Sequence, residues 1–376
     1  MVQYSTIDGD PVRTIIQGIF SPNALTTCML LCVGGLGGYL ASLLHVPMPW
    51  LTGSLAATAV SLRHGAHRMP KGFQFPLRLR TIFIAVIGIM IGAQVRPELF
   101  DNLPLIGLSL GIMTLYVPIA HFFNYMIFRR LAGYSPETAY FAGAPGGLLE
   151  SLLFGERFGA DLKLLTLQQF LRIILVITTV PVAISIWVGA PVGSAAGIAA
   201  QLPEMKLPVW QMLPLVLFTG GAGAWLGSRL NLPASHLFGP LVTTVLINMT
   251  GWISLSLPAW LVVTAQVVIG VSLGMRFLNM APVLVLRGLG LSAVSVSGML
   301  GLGIFCALGL REVTGQPFDV LLISFSPGGV TEMSLIGLSL AANPALVTLH
   351  HVYRIFLTVA LMGYGARLLP KSHSQP

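Results

Sequence analysis

Residues 144–172 read APGGLLESLLFGERFGADLKLLTLQQFLR, and residues 326–354 read SPGGVTEMSLIGLSLAANPALVTLHHVYR. The two stretches share a Pro-Gly-Gly motif, a glutamate and a terminal arginine at a constant offset of 182 positions. A second pair, Gly34–Gly53 and Gly220–Gly239, recurs at an offset of 186. Duplicated apolar units with Gly and Pro breaks at matching positions are typical of secondary transporters.

The composition is that of an integral membrane protein. Of the 376 residues, 55% are hydrophobic and only 9% are charged, whereas soluble domains carry about 25% charged residues. Roughly twelve apolar segments are long enough to span a hydrocarbon core about 30 Å thick. The net charge of +8 comes from basic residues in short loops. This is the positive-inside bias, so we expect no direct nucleic-acid binding.

The apolar segments fall into two halves. We predict a first membrane repeat over residues 22–189, a weakly charged linker over 190–208 and a second repeat over 209–370. The predicted segments are 23–44, 47–62, 79–95, 103–128, 137–155 and 164–188, then 209–230, 233–250, 258–276, 283–310, 318–341 and 344–369. G-x-x-x-G pairs at Gly34/Gly38, Gly88/Gly92 and Gly270/Gly274 predict close approach of helices.

The loop charges favour an inverted arrangement of the two halves. If all twelve segments cross the membrane, loop and tail Lys and Arg divide into 12 inside and 6 outside. If the two segments with Pro-Gly-Gly breaks instead return on the same side, the division becomes 15 inside and 3 outside. The second division fits the positive-inside rule better, although another segment, such as 47–62, could be the one that does not cross.

The predicted fold is therefore an all-α polytopic membrane protein of two inverted repeats. Each repeat has about five spans and one broken or re-entrant segment, which gives 10–12 membrane segments in total. We place the protein in a bacterial-type inner membrane with both termini cytoplasmic.

Four charged residues lie within apolar segments: Glu150, Arg172, Glu332 and Arg354. An ionised side chain within a span costs at least about 2.5–3.5 kcal/mol, so such residues face a cavity or a partner. They predict either a Glu–Arg ion pair that holds the core together or a substrate or ion site, and the two roles can coexist.

The breaks add backbone groups to this candidate site. A helix that begins after a break presents N–H groups and a positive dipole end, which suit an anion. A helix that ends before it presents carbonyl groups, which suit Na⁺. A kinked helix without a ligand is the alternative. The residues predicted to supply unwound backbone are Pro145, Gly146, Gly147, Pro327, Gly328 and Gly329.

His350 and His351 lie one turn before Arg354, where the first half has Gln168 and Gln169. A histidine there could relay protons, or it could be a buried, hydrogen-bonded residue without a role in transport. The remaining histidines are scattered, and no catalytic motif or metal-ligand spacing is present. We therefore expect no enzyme activity, no cofactor and no metal.

The paired blocks resemble those of the AbrB-type duplicated membrane protein family, over about residues 25–368. P-G-G followed by G-A-D-x-K and Q-x-x-L-R in the first half carries this resemblance best. The family is named for a proposed role in regulating another gene, and monooxygenase activity has also been assigned to it. The resemblance implies regulation that is indirect, because no DNA-binding domain is present. The second half has Asn343-Pro344 where the first has Asp161-Leu162, so we expect no symmetric role for Asp161.

The function predicted from these features is secondary transport of a small anionic or carboxylate-bearing solute. Glu150 and Glu332 would couple transport to H⁺ or Na⁺, and one bundle would rock against the other. The alternative is a membrane sensor or regulator that binds a ligand without moving it. The expected partners are the solute or ion and the lipid bilayer, and a homo-oligomer is left open.

Overall fold

The computed structural model is built from α-helices. It describes residues 21–95, 103–193, 208–232, 234–250, 255, 257–280, 282–340 and 343–368, and no β-strand occurs in these ranges. Six of the described helices are long and apolar enough to cross a membrane: Pro22–Leu43, Leu103–Leu131, Leu162–Val188, Ala259–Leu278, Val283–Thr314 and Pro344–Gly365. The chain is therefore a multi-pass, all-helical membrane protein.

The described residues form seven α-helices on each side of the predicted linker. The first seven are α1 (Pro22–Leu43), α2 (Pro49–Gly65), α3 (Leu77–Ala93), α4 (Leu103–Met126), α5 (Pro136–Ala142), α6 (Leu148–Arg157) and α7 (Leu162–Val188). The second seven are α8 (Val209–Arg229), α9 (Ser235–Met249), α10 (Ala259–Gly274), α11 (Pro282–Thr314), α12 (Phe318–Phe325), α13 (Val330–Ser339) and α14 (Pro344–Gly365). Residues 194–207 of the predicted linker lie outside the described residues.

Both predicted breaks are present, and each separates two short helices. The first lies between the end of α5 and the start of α6, and the second between α12 and α13. Proline cannot donate a backbone hydrogen bond and clashes with the preceding helical turn, and the two glycines that follow it here disfavour a helix further. Gly147 then takes a left-handed backbone with φ 64°, from which α6 begins.

Asp161 and Asn343 have the same structural role, contrary to the sequence-based expectation. The Oδ1 atom of Asp161 accepts hydrogen bonds from the backbone N–H groups of Lys163 and Leu164, at 2.9 and 3.1 Å. The Oδ1 atom of Asn343 accepts one from the N–H of Leu346 at 3.2 Å. Aspartate and asparagine are both good N-caps, because a short side-chain oxygen reaches the free N–H groups of the first turn. The difference in charge therefore does not change the local structure of α7 and α14.

The turn before α2 and the turn before α9 share an uncommon backbone conformation. His45 and Met48 have φ of 55° and 51°, and Asn231 and Ala234 have φ of 51° and 49°. These four are the only non-glycine residues with positive φ in the described part of the chain. Each costs roughly 1–2 kcal/mol for an L-residue, so the packing of α1 on α2 and of α8 on α9 must stabilise these turns.

The helices pack as two compact units whose limits differ from those of the predicted repeats. One unit contains the described residues up to Arg80 together with Gln266–Asn279, and the other contains Thr81–Ala265 and the residues from Met280 onward. In the first unit, the later part of α10 packs on α2. In the second unit, the later part of α3 packs on α9. A helix from each half of the sequence thus packs against a helix pair from the other half.

The predicted G-x-x-x-G contacts explain these two packings. A Cβ atom at Gly92 would lie 2.5 Å from the carbonyl oxygen of Leu241, and one at Gly274 would lie 2.8 Å from that of Leu55. Such distances are too short for any side chain, so glycine permits the two backbones to approach this closely. The prediction of close helix packing at these pairs is confirmed.

Candidate functional site

The four embedded charged residues all lie in the larger compact unit, on the helices that flank the breaks. Arg172 and Arg354 are 5% and 1% exposed, and Glu332 is 4% exposed. Glu150 is half-buried. The motif residues between the short helices are also buried, except Gly329, which is half-buried.

Each embedded arginine binds the carbonyl group that immediately precedes a Pro-Gly-Gly motif. Nη1 of Arg172, on α7, donates to the carbonyl oxygen of Ala144. Nη1 of Arg354, on α14, donates to that of Ser326, and its Nη2 donates to that of Gly328 at 2.6 Å. A broken helix leaves carbonyl groups without helical partners, and a buried guanidinium satisfies them.

The predicted Glu–Arg ion pair does not form among the described residues. The ion pair found there joins Arg311 and Glu312, at 4.0 Å, and both side chains are exposed. The buried arginines instead have backbone carbonyls as partners.

The carbonyl groups at the end of α5 each have a side-chain partner. Nε2 of Gln169 lies within 3.2 Å of three of them, and His121 and Asn124 bind the two others at 2.9 and 3.0 Å. The five acceptors are the carbonyl oxygens of residues 140–144. They already accept side-chain hydrogen bonds, and each carbonyl oxygen has a second lone pair, so the Na⁺ site at a broken helix stays a prediction.

The two histidines of α14 are fully buried and hydrogen-bonded. Nε2 of His351 lies 2.9 Å from the carbonyl oxygen of Ile323. Nδ1 of His350 lies 2.8 Å from that of Leu346, and its Nε2 lies 2.9 Å from Oγ of Ser109. A carbonyl oxygen only accepts, so the proton is on Nε2 of His351 and on Nδ1 of His350. A proton relay through them stays a prediction.

Several buried polar atoms at the breaks have no hydrogen-bond partner in the described residues. They include Nε of Arg172, Nε of Arg354, Nδ1 of His351 and Oε1 of Gln169. Buried polar groups are nearly always paired, so this cluster of exceptions is a candidate position for water, an ion or a ligand. Gly146 lies beside this cluster, since a Cβ there would be 3.5 Å from Nε of Arg354. The first break thus meets the arginine of the second half.

Both glutamates occupy the third position of a short helix, with the carboxylate directed back to the start of that helix. Oε2 of Glu150 would lie 3.2 Å from a Cβ at Gly147, and Oε2 of Glu332 would overlap a Cβ at Gly329. A carboxylate is stabilised at this end of a helix by the dipole and the free N–H groups. The protein's own carboxylates therefore lie near the two helix ends where anion binding is predicted, and that binding stays a prediction.

Glu150 also lines a cavity of about 530 Å³ that the sequence did not predict. Its polar lining comes from the turn before α9 and from the first turns of α9 and α13: Asn231, Ser235, His236 and Thr331. Its apolar walls are Ile84, Leu149, Leu232, Ala234, Ile355, Phe356 and Val359. Glu332 is not part of this lining. The cavity brings together one predicted site residue, Glu150, and four polar residues that were not predicted.

Buried polar residues on α4 and α11 form a hydrogen-bond network next to the first break. Oγ of Ser295 donates to Oδ1 of Asn124 at 2.7 Å, and Oγ of Ser292 donates to Oε1 of Gln168 at 2.5 Å. Burial raises the pKa of Tyr134, which lies in the loop before α5 and accepts a hydrogen bond from Gln168, so this phenol is neutral at pH 7. Polar residues inside long apolar helices were the signal that could have identified this network.

Comparisons with known proteins give one family and two similar chains. The family model described as "Transition state regulatory protein AbrB" matches residues 64–370. A Bacillus subtilis (strain 168) protein named "Uncharacterized protein YhjN" is 23% identical over 367 residues, which cover 94% of this chain and 95% of that one. An Escherichia coli (strain K12) protein named "Putative regulator AbrB" is 23% identical over 322 residues, which cover 85% of this chain and 88% of that one.

Proposed function

The chain belongs to the AbrB family, and we propose that it is a secondary transporter that moves a small anionic solute together with a coupling ion across a bacterial-type inner membrane. The main support is the pair of broken helices, each with a buried arginine on its carbonyl end and a carboxylate at the start of its second helix. Buried charge and unwound backbone at membrane depth are costly unless they serve a polar pathway.

We propose that the two halves are inverted repeats, with both termini in the cytoplasm. Three observations support this topology. The described helices follow the same order in both halves, α3 and α10 pack reciprocally on helices of the other half, and the loop charges favour an odd number of crossings per half. Rocking of one helix bundle against the other would then expose the site alternately to each side.

The positions of the glutamates suggest how an ion and an anion would be coupled. The carboxylate of Glu332 lies at the N-terminus of α13, the place where a solute anion would also be most stable. The carboxylate of Glu332 and the solute anion compete for this end of the helix. Protonation of Glu332, or its pairing with a cation, removes that competition and admits the solute.

The test is uptake by purified protein in liposomes that contain a pH-sensitive dye, with pools of small carboxylic acids added outside. Movement of protons or acid anions should depend on the protein. Glu332→Gln should abolish coupled uptake and leave membrane insertion intact. Glu312→Gln is the matched control, because this glutamate side chain is 80% exposed. Normal coupled uptake by Glu332→Gln would remove Glu332 from the site.

The second candidate function is a membrane sensor or regulator. The family description and the name of the Escherichia coli relative favour it, since both refer to regulation. A sensor would bind a solute at the same site but would never accumulate it in liposomes. Binding with no uptake of any pool member, with or without an imposed pH gradient, would favour the sensor. The proposal includes no catalytic step, and the described residues contain no group of three potential metal ligands.

A further inference from the structure

The compact unit that contains α2 holds a separate pocket of about 360 Å³. Two arginines line it: Arg80, in the first turn of α3, and Arg276, in the short 3₁₀ helix that follows α10. The other lining residues are Phe73, Gln74, Phe75, Leu77, Ser272, Met275 and Leu278. No acidic residue is among them. Two cations thus converge on one polar recess that nothing above explains.

The charged residues described in this unit are all basic. The described residues of the unit include no aspartate or glutamate. Its basic residues other than histidine are Arg63, Arg68, Lys71, Arg78, Arg80 and Arg276. Nε of Arg80 is buried and has no hydrogen-bond partner in the described residues. No carboxylate in the described part of this unit therefore pairs with the guanidinium of Arg80.

The walls of the pocket are fixed by the core of the same unit. Phe73 and Met275 are 6% and 8% exposed and pack in one cluster with Leu30, Leu62 and Val271. The chain reaches Phe73 through a tight turn in which the N–H of Phe73 donates to the carbonyl oxygen of Pro70 at 3.0 Å. Gly72, with φ of 73°, permits this turn. The recess is thus formed before any ligand binds.

We propose that this pocket binds a phosphate group, supplied either by the headgroup of an anionic phospholipid or by a free phosphate compound. Guanidinium groups bind phosphate oxygens with paired, charge-assisted hydrogen bonds. Gln74 and Ser272 add polar groups at the rim. Arg80 and Arg276 belong to the loops that the charge distribution predicts to be cytoplasmic, and anionic lipids attract basic residues at that surface. The proposal does not depend on the transport function.

The experiment compares the full-length protein with four variants after purification in a mild detergent. Arg80→Gln and Arg276→Gln each remove one charge. Ser272→Leu fills the pocket and keeps both arginines, so it tests the site even if an arginine variant folds poorly. Arg78→Gln is the matched control, because Arg78 is exposed and does not line the pocket. Lipid retention is measured by native mass spectrometry with phosphatidylglycerol and phosphatidylcholine, and inorganic phosphate is titrated by the shift in melting temperature.

A lipid headgroup is identified if phosphatidylglycerol, but not phosphatidylcholine, is retained by the parent protein and by Arg78→Gln. We expect its affinity to fall roughly tenfold or more in the other three variants, because a charge-assisted contact or the space for the phosphate is lost. A free phosphate is identified if inorganic phosphate raises the melting temperature of the parent and of Arg78→Gln only. The proposal is overturned if the parent and the four variants do not differ in retention of phosphatidylglycerol or in the shift in melting temperature with inorganic phosphate.

Discussion

Arg172 and Arg354 make the same contact in the two halves of the chain, but the number of supporting hydrogen bonds differs. Nη1 of each donates to the carbonyl that precedes a Pro-Gly-Gly motif. At the first break, Gln169 also donates to the carbonyl oxygen of Ala144, at 3.2 Å. At the second break, the carbonyl oxygen of Ser326 also accepts a hydrogen bond from the backbone N–H of Gly328 at 2.9 Å, and Arg354 binds a second carbonyl oxygen, that of Gly328. Arg354 therefore has the larger structural role.

Replacement of Arg172 and of Arg354 by lysine should destabilise the protein to different extents. A lysine ammonium lacks the planar fork that serves two acceptors at once. Arg354→Lys leaves a buried carbonyl without a donor, which destabilises the fold by about 1–3 kcal/mol, whereas at the first break Gln169 still binds Ala144. We expect Arg354→Lys to lower the thermal unfolding midpoint in detergent more than Arg172→Lys. The exposed Arg311→Lys should leave it unchanged. An equal effect of the two buried substitutions would contradict this order.

Alanine at Gly329 should uncouple transport without unfolding the protein. The backbone at Gly329 has φ of −73° and ψ of 148°, which alanine adopts without strain. Its Cβ, however, would overlap Oε2 of Glu332 and displace the carboxylate from the start of α13. In liposomes we expect Gly329→Ala to lose coupled uptake to the extent that Glu332→Gln does.

The control for that substitution is Gly301→Ala on α11, where a Cβ meets nothing within 4 Å. It should transport normally. Full coupling in Gly329→Ala, with a normal melting temperature, would show that the position of the Glu332 carboxylate is unimportant.

The reciprocal packing of α3 and α10 should depend on single glycines. Gly92→Ala and Gly274→Ala each place a methyl group against a backbone carbonyl of the facing helix. Backbones cannot yield as flexible side chains can, so we expect a loss of about 1–3 kcal/mol in the free energy of unfolding. Gly111→Ala on α4 meets nothing within 4 Å and should be neutral or slightly stabilising, because alanine favours helix by about 1 kcal/mol over glycine. Comparable melting of all three variants would argue against these close contacts.

The spans, the breaks and the glycine contacts were predictable because each depends on local chemistry. Hydrophobic length predicts the helices, Pro-Gly-Gly predicts the gaps, and G-x-x-x-G predicts close approach. The partners of the buried charges were not predictable in this way. Arg172 could have paired with a glutamate or a carbonyl, and only the tertiary arrangement of α7 against the end of α5 decides between them.

The cavity beside Glu150 was missed for a related reason. Asn231 lies in the short turn before α9 and His236 in the first turn of α9, and neither belongs to a motif. They line the cavity because α9 packs near the start of α6, a long-range contact that periodicity does not encode. The expectation for Asp161 was wrong because it considered charge alone. An N-cap requires only a short side-chain oxygen, which asparagine also provides.

The side of the membrane on which the linker lies distinguishes inverted from parallel halves. Ser194 is in the predicted linker, outside the described residues. We would replace Cys28, Cys32 and Cys306, introduce Ser194→Cys, and treat intact cells with a membrane-impermeant thiol reagent. With five crossings per half and a cytoplasmic N-terminus, the linker is external, so we expect labelling without opening the membrane. A cysteine placed at Lys71, in a loop predicted to be cytoplasmic, is the control that should react only after the membrane is opened.

Labelling of Ser194→Cys only after opening would mean an even number of crossings in each half. The halves would then be parallel, and a transport site between oppositely oriented breaks would lose its geometric basis.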